Sequence, residues 1–211
     1  MNFAEYAALP IIADLDFKLQ PGWRAVRPAQ PAEPWAKDLA KQLAGRRGRA
    51  AVKSLQAQLE AVHASFARLE DPYGRFAVRV PDEKPQVVCT LFYRGNFALD
   101  EKSELASVEA YERVLHKPDS EPGARVEIVN VWRETVPAGE YAGQYSVIHY
   151  HDLATDEKHD EERVSIGLFP TGSSQVLEMV YTTPEVGANT DHLVELVRES
   201  MASMTVRLAP Q

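Results

Sequence analysis

Four strand-length segments follow one another between residues 125 and 182 with very little chain between them. They span residues 125–133, 140–152, 162–170 and 175–182, and their links are "TVPAG", an acidic loop and "TGSS". Parallel neighbours need a crossover of a dozen or more residues. Links this short therefore dictate antiparallel hairpins. Any fold for this chain must accommodate that sheet.

Upstream segments add strands to it. "RFAVRVP" sets Phe76, Val78 and Val80 on one face and Arg75 and Arg79 on the other, the period-two pattern of a half-buried strand. "QVVCTLFYRG" is apolar on both faces, as a central strand is, so Val87, Cys89 and Leu91 are expected in the interior. Near the start, "DFKLQPGWRAV" (16–26) reads as a short strand containing a turn at Pro21-Gly22, with Trp23 packing back on the sheet.

Helices flank the strands. Leu105, Val108, Tyr111 and Leu115 mark one over residues 103–116 that ends near Pro118. Leu193, Val194, Val197, Met201 and Met204 form one stripe of a closing helix, with Asn189 or Thr190 to cap it and a short strand after it. A run of strands with helices before and after predicts an α+β fold: an antiparallel sheet sandwiched by helices, with residues 1–211 as a single domain.

Residues 35–70 have a different texture. "RPAQPAEP" (27–34) reads as a proline-rich connector unable to sustain a helix. Trp35, Leu39 and Leu43 then recur every four residues, and beyond "GRRGR" Val52, Leu55, Leu59, Val62, Phe66 and Leu69 step by three and four. That seam predicts two helices, 35–44 and 50–69, folded into a hairpin inserted in the domain. The stripe is too short for a self-sufficient coiled coil, so a monomer is favoured over a homodimer.

Charge sharpens the contrast. Residues 1–70 hold ten Lys/Arg and seven Asp/Glu, a net of +3, whereas residues 71–211 hold thirteen and twenty-four, a net of −11. An acidic body argues against nucleic-acid binding. With 45% apolar and 26% charged residues, the chain can bury a core rather than remain disordered. No apolar run approaches the roughly 18–20 residues of a membrane span, and the N-terminus has no secretory pattern. The single cysteine fits a reducing, cytoplasmic setting.

Several segments invite a chemical reading. In "YSVIHYHD" strand alternation puts Tyr145, Val147, His149 and His151 on one face. Two such histidines can point at one ion, but zinc or copper needs a third ligand and usually a fourth. His159 could supply one if the acidic loop folds back. The plainer reading is a strand end with no metal, and a small-molecule or metal-binding module on this face is the alternative to the reading below. Cys89 reads as a buried small hydrophobe rather than a nucleophile. Ser173 and Ser174 sit in a hairpin turn without a nucleophile elbow, and no phosphate-binding glycine loop occurs. No catalytic residue, cofactor or metal is expected.

Pro21-Gly22-Trp23, then Pro137-Ala138-Gly139 with Tyr145, then the stretch from Met201 to Leu208 resemble the PsbP-like superfamily of α/β/α sandwiches and the actinobacterial LpqN-type lipoproteins. The resemblance implies that sandwich fold, a bacterial source and a binding or accessory role without a catalytic site. The hairpin at 35–70 is not part of that pattern, and the lipoprotein cysteine has no counterpart here. The expected function is a non-catalytic accessory or adaptor protein with a protein partner. Arg46, Arg47, Arg49, Leu55, Leu59, Val62 and Phe66 are the candidate contact residues.

Overall fold

A computed structural model describes residues 9–16, 18–19, 21–69, 74–100, 102–117, 123–151, 155–183 and 193–210. Its strands are β1 (Ile11–Asp16), β2 (Trp23–Val26), β3 (Arg75–Arg79), β4 (Cys89–Ala98), β5 (Ala124–Val136), β6 (Gly139–His151), β7 (Lys158–Pro170), β8 (Gln175–Thr183) and β9 (Thr205–Ala209). Its helices are α1 (Ala32–Ala44), α2 (Arg49–Ala67), α3 (Val108–Leu115) and α4 (Leu193–Ala202), with a 3₁₀ turn at Gly45–Arg47. Seven strands form one antiparallel sheet in the order β2-β3-β4-β8-β7-β6-β5, and β1 pairs with β9 in a separate ribbon. The α+β class is as the sequence predicts.

The consecutive hairpins of the sheet follow from their turns. β5 and β6 close on Pro137-Ala138, and Val136 pairs with Gly139. Gly139 has φ +151°, and a Cβ there would collide with the Phe169 backbone, so this position calls for glycine.

Cross-strand registers assign the helices to faces. On one face Leu91, Met179, Tyr181, Val164, Ile166, Leu168 and Tyr141 form a continuous apolar floor, covered by Leu193, Leu196, Val197 and Met201 of α4 and by Met204. On the other, Phe76, Val78 and Val80 meet α1 and α2. Further along that second face, Val108, Tyr111 and Leu115 of α3 rest on Ala142. Gly167 lets α3 sit close, since a Cβ there would come within 2.5 Å of the Tyr111 ring. Ser107 caps α3, its hydroxyl accepting from the Ala110 amide at 3.2 Å.

Several boundaries differ from the sequence reading. The segment 16–26 is not one strand: β1 ends at Asp16 and β2 begins at Trp23, on different sheets, and Phe17 lies outside the described residues. Trp23 does pack on the sheet, its ring edge-on to Tyr181 at 6.2 Å. α1 begins at Ala32, inside the proline-rich connector. Pro34 falls in the first helical turn, where an amide N–H has no intrahelical partner to lose. α3 begins at Val108, five residues later than expected from 103, because Ser107 takes the cap. Leu196 belongs to the buried stripe of α4, while its proposed caps, Asn189 and Thr190, lie outside the described residues.

Candidate functional site

α1 and α2 pack against each other across the turn at Gly45–Arg47, and the interior of this helical pair is built differently from the apolar pattern. Ala36, Ala40 and Ala44 are the residues of α1 at zero exposure, while Trp35, Leu39 and Leu43 flank them half-buried. Small side chains let the helix approach its neighbours closely, and the larger ones cover the seam from the sides. On α2, Leu55 and Leu59 are at zero exposure and Phe66 at 6%. They pack on Val26, Phe76, Val78, Val80 and Val87. Burying one such side chain stabilises the fold by about 1.5–3 kcal/mol. The Phe66 ring stands 4.6 Å from Phe76, which stacks on Phe92 at 4.9 Å.

Two polar ties fix the hairpin. The Val87 amide donates to Gln58 Oε1 at 2.8 Å. His63, buried at 7% exposure, sits with Nε2 2.9 Å from the Gln30 carbonyl and its ring 6.0 Å from Trp35. His63 takes a buried place on the helix that the periodicity of apolar residues alone could not assign. Leu69, expected at the end of the seam, is 49% exposed, because α2 ends at Ala67 and the stripe no longer faces the sheet.

The seven candidate contact residues divide cleanly. Leu55, Leu59 and Phe66 belong to the buried core, Leu55 and Leu59 at zero exposure, which corrects the expectation that these three meet a partner; Val62 is half-buried against the same cluster. Arg46, Arg47 and Arg49 stand exposed at the tip, where the chain reverses through Gly45–Arg47 and Gly48. Gly48 has φ +95°, a conformation side chains resist. Arg47 is anchored: its guanidinium donates to the backbone carbonyls of Asp82 and Glu83 in the β3–β4 loop. Among the described residues, Arg46 and Arg49 have no carboxylate within ion-pair distance. Lys53, one turn along α2, is also exposed.

The histidine strand end is organised the other way. His149 Nδ1 lies 2.9 Å from Asp160 Oδ1 and its Nε2 3.5 Å from Glu127 Oε2. His151 Nε2 lies 2.7 Å from Asp156 Oδ1. His159 pairs with Tyr150 and stacks on its ring at 4.6 Å, so it stands on the opposite face from His149 and His151. Each histidine thus has its own neighbour and the three do not converge. Among the described residues no group of three or more His, Cys, Asp or Glu is placed to hold a metal ion. Deeper along the same face, Tyr145 donates to the fully buried Glu162 at 3.1 Å, and Thr183 donates to the second carboxylate oxygen at 3.3 Å. Burial first, then the Glu162 charge, pushes the Tyr145 hydroxyl up to about 12.

Cys89 is fully buried, and desolvation pushes its thiol up to about 12, the opposite of the activation a nucleophile needs. Ser173 and Ser174 serve the β7–β8 turn. Ser173 Oγ accepts from the Gln175 amide at 3.0 Å, and Ser174 Oγ donates to the Pro10 carbonyl at 3.2 Å.

The architecture is that of an α+β protein with a seven-stranded antiparallel sheet between helical layers. No family model matches the chain, and no curated protein matches it at a significant level. Among solved structures, the Ran-binding protein Mog1p of Saccharomyces cerevisiae overlays with a TM-score of 0.42 at 15% identity, covering 68% of this chain and 84% of that one. LpqN of Mycobacterium tuberculosis, described as involved in cell envelope biogenesis, overlays with a TM-score of 0.39 at 9% identity, covering 98% and 97%. No helix among the described residues is long and apolar enough to cross a membrane.

Proposed function

We propose that the protein is a non-catalytic accessory or adaptor protein of the cytoplasm whose hairpin tip docks an acidic surface of a protein partner. The observation that carries this reading is the pair Arg46 and Arg49, exposed at a tip that Arg47 pins to the β3–β4 loop. A pinned tip presents its charges at little ordering cost. Guanidinium groups recognise carboxylates through paired donors, and basic charge on an otherwise acidic chain steers an acidic partner to one place. The free, deeply buried Cys89 is compatible with a reducing compartment.

The test is site-specific photo-crosslinking in the native host. A crosslinking residue at Gln42, exposed near the tip, is compared with one at Lys158, exposed at the histidine end. Discrete heteromeric adducts from position 42 and none from 158 support the reading. Adducts only from 158, or none from either, oppose it. Adducts with a second copy of this chain identify a homodimer instead.

A further inference from the structure

The two end strands of the large sheet differ in what they leave open. β2 is 4 residues long and β5 is 13. A long free edge is a row of unpaired amides and carbonyls that another strand can join. No described residue pairs with the outer edge of β5. Val129, near the middle of it, is 53% exposed, one of two large apolar side chains that stand exposed among the described residues.

The edge is interrupted at one point. The β5–β6 register slips between Ile128 and Asn130, a bulge that adds Val129 to the strand. On one side of it, the Gly123 carbonyl accepts from the His151 amide at 2.9 Å. Backbone groups alternate along a strand, so Gly123, Arg125 and Glu127 face β6, and Ala124, Val126 and Ile128 turn theirs outward. On the other side, Val136 closes the hairpin with Gly139. Val136, Glu134 and Trp132 therefore face β6, and Val131, Arg133 and Thr135 turn outward. The step from Ile128 to Val131 is one residue longer than the two-residue step of a regular strand. A regular strand laid on this edge loses phase at Val129, and its side chains change faces there. A second copy of this chain, running antiparallel, brings the same long step to the same place and stays in phase on both sides.

Charge selects the register. With Ile128 opposite the partner's Val131, Arg125 comes opposite the partner's Glu134, and the two-fold axis repeats both pairs. Arg125 and Glu134 share the face of the sheet that α4 covers, since their β6 neighbours are His149 and Tyr141. Sliding two residues one way sets Glu127 against the partner's Glu134, and like charges directly opposite are destabilising. Sliding two the other way sets Arg125 against the partner's Trp132 and leaves no opposite-charge pair. Within its own chain Arg125 has an exposed contact with Glu127 at 3.7 Å. Glu134 takes Arg198 at 2.8 Å and Tyr141 at 2.7 Å, and a carboxylate has acceptor sites for a further donor.

We propose that β5 is a homodimer edge: two copies join their sheets through antiparallel β5 strands, with the two bulges at the axis and Arg125 against Glu134. This edge is separate from the hairpin tip and from the helical stripe on which the expectation of a monomer rested, and its test does not depend on the adaptor reading.

The experiment is sedimentation equilibrium of the full chain from about 1 μM to about 0.5 mM. The expected result is a reversible monomer–dimer equilibrium within that range. Val129→Lys puts like charges at the axis and should leave a monomer with the wild-type denaturant midpoint, because the replaced side chain is exposed. Arg125→Glu turns two attractive pairs into repulsive ones and should weaken dimerisation about tenfold. Disulfide trapping then checks the register. Ala124→Cys with Thr135→Cys, opposite each other in the proposed pairing, should give an oxidised dimer, and Ala124→Cys with Arg133→Cys, out of register, should not. A wild-type monomer throughout the range, a dimer that neither Val129→Lys nor Arg125→Glu weakens, or trapping by the out-of-register pair alone would each overturn the assignment.

Discussion

Charge collects at two places on this molecule, the hairpin tip and the end of the β6–β7 hairpin, and the two are handled in opposite ways. At the β6–β7 end, His149 lies against Asp160 and Glu127, His151 against Asp156, and Arg163 against Glu161 at 3.1 Å. At the tip, Arg47 is spent on backbone carbonyls, while Arg46 and Arg49 have no carboxylate within ion-pair distance among the described residues. The lesson is that a dense set of ionisable groups is not by itself a site. What can act on another molecule is charge that the fold has positioned and not already compensated.

The same contrast runs through the hairpin itself, whose apolar side is fully committed while its basic end is not. Its interior should therefore give the largest response. Leu59→Ala removes a side chain at zero exposure and should cost about 2–5 kcal/mol, measured by urea unfolding. A cost below about 1 kcal/mol would mean that the stripe is not buried as described.

A second prediction concerns the opposite face. Cys89, Tyr141 and Tyr145 are all held protonated in the fold, each pushed up to about 12 from ordinary values of 9.0, 10.0 and 10.0. Between the ordinary and raised values the unfolded chain releases protons that the folded chain keeps. Stability should then fall as pH rises from about 9 towards 12, with no such slope from these groups below pH 8. Denaturant midpoints across that window measure it, and a Cys89→Ala variant should flatten the lower part of the slope. Native Cys89 should also react with a thiol reagent at neutral pH only as fast as the protein unfolds; rapid labelling would contradict its burial.

Smaller effects compare the charged ends directly. Arg47→Ala unpins the tip and should cost below about 1 kcal/mol, as exposed charged contacts do, yet raise hydrogen exchange around Asp82 and Glu83. His149→Ala with His151→Ala breaks exposed pairs and should change stability by no more than about 1 kcal/mol. If the histidine pair instead abolished partner capture, the roles assigned to the two ends would be reversed.

The sheet was legible because its signals are local. "TVPAG" and "TGSS" are turns of a few residues, so the strands from β5 to β8 could be placed within a few positions of their true bounds. β1 was missed because its partner, β9, lies at the other end of the chain, and no local pattern reveals such a pairing. The start of α1 was hidden by prolines that a first helical turn tolerates. Its buried stripe was hidden because Ala36, Ala40 and Ala44 carry little hydrophobic signal of their own. At the tip, "GRRGR" announced the reversal, but not that Arg47 alone would be tied down, since its acceptors are backbone atoms more than thirty residues away.

The most direct test of the account is charge reversal at the tip. Arg46→Glu with Arg49→Glu should leave the melting transition within about 0.5 kcal/mol of wild type, as surface changes do, because neither side chain contributes to the core. Quantitative capture from host extract, wild type against this variant with His149→Ala/His151→Ala as control, should show partners that wild type and control retain and the tip variant loses, with wild-type binding weakening as salt rises. Retention of the same partners by the tip variant, at equal yield and equal salt dependence, would contradict the claim that the uncompensated arginines are the contact.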